Sequence, residues 1–130
     1  MDQILVPVSP GELLDRITIL RIKSERITDA QPLANVRREL ALLEPIWRAT
    51  CAAQPGLATE EAALQRVNLE LWEIEDRIRG HEAQRRFDAA FIELARSVYL
   101  RNDERAALKK RINVALKSAI VEEKSYRPYA

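Results

Sequence analysis

At 130 residues and 47% hydrophobic content, the chain is long enough for one domain with a core of its own and too short for two ordinary ones. Three glycines and 5% aromatics are poor material for a sandwich or barrel, whose strands need frequent turn residues, so composition favours helices. A formal net charge of +1 leaves no global field to draw the chain onto nucleic acid or an anionic membrane, and a nucleic-acid partner is disfavoured on that ground.

The single cysteine, Cys51, excludes an intramolecular disulfide and a cysteine-based metal site, and reads as a buried inert thiol in a reducing compartment. The opening Met-Asp-Gln-Ile-Leu-Val-Pro lacks the basic region and apolar stretch of a signal peptide. No apolar run approaches the ~20 residues of a membrane span. The expectation is a cytoplasmic protein with no membrane span.

In chain order, Gln3 to Val8 is a short apolar run ended by Pro7, too short for a helix, and residues 1–8 read as an extended arm laid on a helical bundle. Ser9-Pro10-Gly11-Glu12 is the sharpest boundary in the chain. Ser9 can cap, Pro10 suits the first helical position, and Glu12 can reach back to the Ser9 amide as a capping box. In the helix that follows, Leu13, Ile17, Leu20 and Ile27 share one face while Ile19 and Ile22 point nearly the opposite way. A helix apolar on two sides is buried within its own domain or at a subunit interface, which makes self-association an expectation to test.

Leu33, Val36, Leu40, Leu43 and Trp47 form the second stripe, with Trp47 as core filler and Pro45 predicting a kink or a new turn. After Gln54-Pro55-Gly56, Thr59 is the candidate N-cap of a third helix, with Glu60 and Glu61 in its first turn. Its stripe is Leu64, Val67, Leu71, Ile74 and Ile78. The next stripe, Phe87, Phe91, Leu94 and Val98, lies half a turn out of phase with it, so either the helix breaks between Gly80 and Arg86 or one long helix changes partners there. Asn102-Asp103 offers a last cap before a stripe of Leu108, Ile112, Ala115 and Ala119, and residues 122–130 form an acidic and aromatic tail. The prediction is an all-α single domain over 1–130, a bundle of four to five helices with a short extended N-terminal arm.

Few residues offer chemistry. His81 is the only histidine and stands at a helix junction, where a surface role is the simplest reading. No Gly-rich phosphate loop, GxSxG elbow or HExxH motif occurs, and no segment calls for a cofactor. Glu73 and Asp76, one turn apart, could share a divalent cation, and in this they resemble half of the pattern of all-helical nucleotide pyrophosphohydrolases. The other half is missing, because Glu60 and Glu61 are followed by Ala62 and Ala63. Exposed carboxylates in i,i+4 pairs, such as Glu75 with Arg79, explain the stretch more simply, and no metal site is assigned.

The positive charge is local. Arg101 to Lys117 carries +4 while the rest of the chain carries −3. Within it Asn102, Arg105, Lys109 and Asn113 lie along one strip, spaced to present donors to a phosphate or carboxylate, with Arg96 joining if helix pairing allows. A solvated helix face is the competing reading. The first helix, with Arg16, Arg21 and Lys23 among aliphatics, is loosely similar to helical chorismate mutases, which hold a dicarboxylate among Arg and Lys side chains.

The segments VSPGELLDRITILRIKSERI (8–27), LWEIEDRIR (71–79), FDAAFIELARSVY (87–99), NDER (102–105) and EEKSY (122–126) resemble an uncharacterised bacterial family of small helical proteins. That resemblance spans nearly the whole chain and implies a domain of unknown function, with no residue roles to transfer. Function is therefore read from the residues alone. The leading expectation is a non-enzymatic helical interaction module that self-associates. The alternative is a small protein or enzyme binding an anionic ligand (nucleotide, sugar nucleotide or dicarboxylate), with Arg96, Asn102, Arg105, Lys109 and Asn113 as donors.

Overall fold

The computed structural model describes residues 2–129; Met1 and Ala130, the outer ends of the expected arm and tail, lie outside the described residues. Behind an extended arm come four helices, α1 (Pro10–Arg26), α2 (Ala30–Ala53), α3 (Ala58–Ala83) and α4 (Ala89–Ala115), with no strand among the described residues. The α1 start is as the sequence predicts on one side of the box only. Ser9 Oγ accepts from the Glu12 amide at 3.2 Å and Pro10 opens the helix, but the Glu12 carboxylate turns away to Lys109.

The two apolar sides of α1 are used within the chain. Alone among the helices, α1 comes close to each of the other three, and Leu14, Ile17, Leu20 and Ile22 are all buried. The core joins Leu14 and Ile17 to Trp47 of α2, Leu57, Leu64 and Val67 of α3, and Leu108 and Ile112 of α4. Trp47 is the core filler its stripe predicts. The two-sided helix therefore gives no argument for a subunit interface. Pro45 sits on an exposed part of α2, which continues past it to Ala53.

The out-of-phase stripes of the third and fourth segments mark a true break. Gly80 stays helical; α3 ends at Ala83 and the chain turns at Gln84 to Asp88. Arg85 takes the left-handed conformation (φ 53°), and the amides of Arg86 and Arg85 donate back to the carbonyls of His81 at 2.9 Å and Glu82 at 3.1 Å. This is a Schellman ending without its usual glycine. Asp88 then caps α4, its Oδ1 accepting from the Phe91 amide at 3.1 Å.

Two expected caps are corrected. Asn102-Asp103 does not begin a fifth helix, because both residues lie inside the 27-residue α4. Asn and Asp break helices by bonding to nearby backbone. Here Asn102 Oδ1 accepts from Arg105 Nη1 at 3.4 Å and Asp103 Oδ2 accepts from Tyr129 Oη at 2.6 Å, so neither side chain competes with the ladder. Thr59 is likewise inside α3, whose cap position is Leu57; the buried Leu57 belongs to the core, and packing fixes that start. Beyond α4, Ala119 lies in the irregular tail.

Length now places the site. The 17 residues of α1 reach about 25 Å, whereas α3 (26 residues) and α4 (27 residues) each reach about 40 Å. The paired α3 and α4 overshoot α1, and no residue from 69 to 107 is buried.

Candidate functional site

Where α1 crosses α3 and α4, polar side chains are buried beside the apolar core. Asp15, only 2% exposed, sits on α1 among Leu14, Ile17 and Thr18. Arg105 of α4 grips it with two bonds, Nε donating to Oδ1 at 2.8 Å and Nη2 to Oδ2 at 2.6 Å. Asn68 Nδ2 of α3 donates to Asp15 Oδ1 at 3.0 Å and to Thr18 Oγ1 at 2.8 Å. Burial pushes the Asp15 carboxyl up, but the bonds from Arg105 and Asn68, with the charges of Arg105 and Lys109, hold it below the ordinary carboxylate range. A buried carboxylate bound on this many sides stays ionised, and it is a weak proton acceptor near neutral pH.

One turn further along α4, Lys109 is equally committed. Its Nζ donates to Glu12 Oε2 at 2.7 Å and to Glu122 Oε2 at 3.0 Å, joining the start of α1 to the tail. Burial lowers its affinity for the proton, yet these two carboxylates carry the net shift upward, so the ammonium stays charged. The same contact draws Glu122 downward. Asn113, 1% exposed, accepts from the Gly11 amide at 2.8 Å. Gly11 is required by close approach: a Cβ there would lie 2.6 Å from the Lys109 carbonyl oxygen and 2.9 Å from Asn113 Oδ1.

The predicted strip is thus brought together in part, and its donors face protein. Arg105, Lys109 and Asn113 converge on α1, while Asn102 bonds Arg105 from the edge. An incoming anion at Lys109 would have to displace Glu122 or Glu12. Arg96 is nine residues before Arg105, half a turn out of phase, and pairs at the surface with Glu93 at 3.0 Å. It does not join the group.

The other candidates are placed as follows. Arg26 donates to Glu73 at 3.2 Å, Asp76 is exposed, and Glu75 pairs with Arg79 at 3.7 Å. Among the described residues no cluster of three or more His, Cys, Asp or Glu is arranged to hold a metal ion. Arg21 is engaged by Glu44 at 3.3 Å and Glu61 at 2.9 Å, and Arg16 by Glu39 at 3.9 Å. His81 is half-buried at the α3–α4 turn, its Nδ1 3.0 Å from the Arg86 carbonyl oxygen. Cys51 is half-buried beside the core, and burial followed by the Glu61 charge pushes its thiol up, away from the reactive thiolate.

Sequence reading missed Asp15, Thr18, Asn68, Glu12 and Glu122 as members of one network. A signal existed for the first of these: Asp15 lies seven residues before Ile22 and therefore on its apolar face, an expensive place for a carboxylate without a partner. The partner is 90 residues away in sequence, at Arg105.

Fold and site together define an all-helical chain of four helices, tied across its core by a buried ion-pair network. The chain belongs to a family of unknown function (DUF6165), whose family model matches residues 4–129. The match takes in the arm and the tail as well as the helices. No curated protein and no solved structure matches the chain. No helix among the described residues is long and apolar enough to cross a membrane.

Proposed function

We propose that this chain is a non-enzymatic helical interaction module, a single domain that self-associates through its N-terminal arm. One observation carries the reading. Ile4, Leu5, Val6 and Val8 of the arm are 73%, 84%, 66% and 45% exposed, and with Leu42 and Ile46 of α2, 56% and 54% exposed, they line one open groove. Six large apolar side chains gathered at one place form the kind of contiguous patch that marks an interaction surface. The rest of the groove is Leu13, Leu43, Glu12, Arg16, Glu39 and Gln3.

The occupant we assign is the arm of a second copy. Residues 3–8 make no backbone-to-backbone hydrogen bond among the described residues, so the arm is an extended segment with open donors and acceptors. Laying two such arms against each other across a twofold axis covers both grooves with one self-complementary contact. A charged pair, Arg16 and Glu39, stands at the groove wall to meet its equivalent across that axis. Cytoplasmic residence accompanies the reading, on the strength of the single free thiol.

Sedimentation equilibrium of the full chain tests it. The wild type is expected to dimerise at micromolar concentration, and Leu5→Asp and Ile46→Asp to shift the species to monomer while helix content by circular dichroism stays unchanged. A wild type that remains strictly monomeric at high micromolar concentration overturns self-association.

A further inference from the structure

All three tyrosines of the chain line one cavity. Tyr99 of α4, with Tyr126 and Tyr129 of the tail, lines an open cavity of about 960 Å³ together with Val98, Asn102, Asp103, Lys124, Arg127 and Pro128. That volume lies at the upper end of small-molecule sites. The rings are not buried in packing. Tyr99, Tyr126 and Tyr129 are 42%, 76% and 61% exposed, so much of their surface is open to solvent.

The wall formed by the tail is fastened on both sides of this space. Glu122 and Glu123 bond Lys109 at 3.0 Å and Lys110 at 3.3 Å. At the other end Tyr129 Oη donates to Asp103 at 2.6 Å and its ring lies 5.1 Å from that of Tyr99, centroid to centroid. Between the fastenings sit two cations, Lys124 and Arg127. Neither makes a salt bridge among the described residues, as is true of several other exposed cations. Lys124 Nζ stands instead 5.9 Å from the centre of the Tyr126 ring.

Exposed aromatic rings take a planar ring by stacking, and cations without a carboxylate partner take an anion; Asn102 Nδ2 is left to donate to a hydroxyl, and the second oxygen of Asp103 to accept from a hydroxyl or amine. The geometry points to a binding site for a nucleoside phosphate, its base stacked on tyrosine and its phosphate held by Lys124 and Arg127. With Asp103 the cavity carries a net positive charge, which favours a ligand bearing an anion over a neutral saccharide. Of the basic strip on α4, only Asn102 faces this space, so the site is separate from the Asp15 network. It is equally separate from the arm groove, and it stands whether or not the chain dimerises.

Isothermal titration calorimetry of the full chain with AMP and UMP, and with adenosine and inorganic phosphate as half-ligands, tests the site. AMP and UMP are expected to bind with a Kd below about 1 mM, and adenosine and phosphate at least about tenfold more weakly. Tyr126→Ala is expected to weaken AMP about tenfold, the usual scale of one lost stacking partner. Lys124→Ala with Arg127→Ala should reduce AMP to the level of adenosine. Tyr126, Lys124 and Arg127 are exposed, and unchanged circular dichroism shows that the fold survives. No heat from either nucleotide at about 10 mM overturns the proposal, as does binding of AMP by the Lys124→Ala, Arg127→Ala double variant as tight as by wild type. Tighter binding of an oligonucleotide than of AMP, falling steeply with salt, also overturns it, since that is the signature of a strand-binding surface.

Discussion

The end of the molecule around α1 and the projecting α3–α4 hairpin are made of the same kinds of residue and held by different means. Around α1, side chains far apart in sequence meet in the interior: Gly11 with Asn113, Asp15 with Arg105 and Asn68, Leu14 and Ile17 with Leu64 and Ile112. In the hairpin beyond that group no residue is buried, and several ties are local. Glu75 pairs with Arg79, Glu93 with Arg96, and His81, Phe87 and Phe91 cluster at the turn. A third helix makes the difference. Where α1 lies against the pair, side chains are enclosed; where it ends, two helices cannot enclose anything. Native-state hydrogen exchange should therefore protect Leu14 to Ile22, Leu64 to Asn68 and Leu108 to Asn113 most strongly, with the hairpin opening first. Equal protection at both ends would break the comparison.

The largest effect is expected at Asp15. Asp15→Ala leaves Arg105 half-buried without its carboxylate and strips Asn68 of a partner, a loss of about 3–5 kcal/mol by urea denaturation. The pH dependence follows from the direction of the shift. A carboxyl held below its ordinary value in the folded state contributes stability above its unfolded value near pH 4, and loses it as pH falls through the lower folded value. Glu122 adds to the loss in the same sense. Wild-type stability should then drop on acidification below about pH 4, and Asp15→Asn should flatten much of that drop while lowering stability at pH 7. At the alkaline end Lys109, raised in the folded state, contributes below its ordinary value and fails as pH climbs through its folded one.

Next comes Gly11. An added methyl would meet the Lys109 carbonyl oxygen at 2.6 Å, a backbone atom that cannot swing aside, so Gly11→Ala should cost about 1–3 kcal/mol as overpacking. Alanine at an ordinary helix position stabilises instead, by up to about 1 kcal/mol over glycine. The sign alone therefore separates a helix that touches α4 from one that merely lies near it. Gly80→Ala in the hairpin, where nothing lies within 4 Å of the added carbon, is the control and should raise stability.

How much of this could be read in advance depends on how local each cause is. Ser9 and Pro10 start α1 through contacts within one turn, and the stripes that contain Trp47, Val67 and Ile112 obey a local period, so these are legible. The strip of Arg105, Lys109 and Asn113 was recognised as special, but its direction was not: the carboxylates that claim it, on Asp15, Glu12 and Glu122, come from distant parts of the chain. Asn102 and Asp103 looked like a cap because the donors that occupy them, Arg105 and Tyr129, are side chains whose positions only packing sets. Composition favours helices, and no strand occurs among the described residues, whereas the overshoot of the hairpin is not legible, since it depends on which helices pair.

The smallest effect tests the turn of the hairpin itself. Arg85 and Lys117 end α3 and α4 in left-handed backbone, both at φ 53°, where sequence showed no glycine to announce a stop. A side chain in that region costs about 1 kcal/mol, so Arg85→Gly relieves strain in the folded state and returns part of the gain as added freedom of the unfolded chain. A net gain of about 0.5 kcal/mol is expected. Because the hairpin beyond α1 is the end that opens first, the gain should appear as slower exchange of amides near the turn before it moves the global unfolding midpoint. If Arg85→Gly instead shifts the global midpoint as much as it slows local exchange, the hairpin and the packed end unfold as one unit, and the contrast between them is one of burial alone.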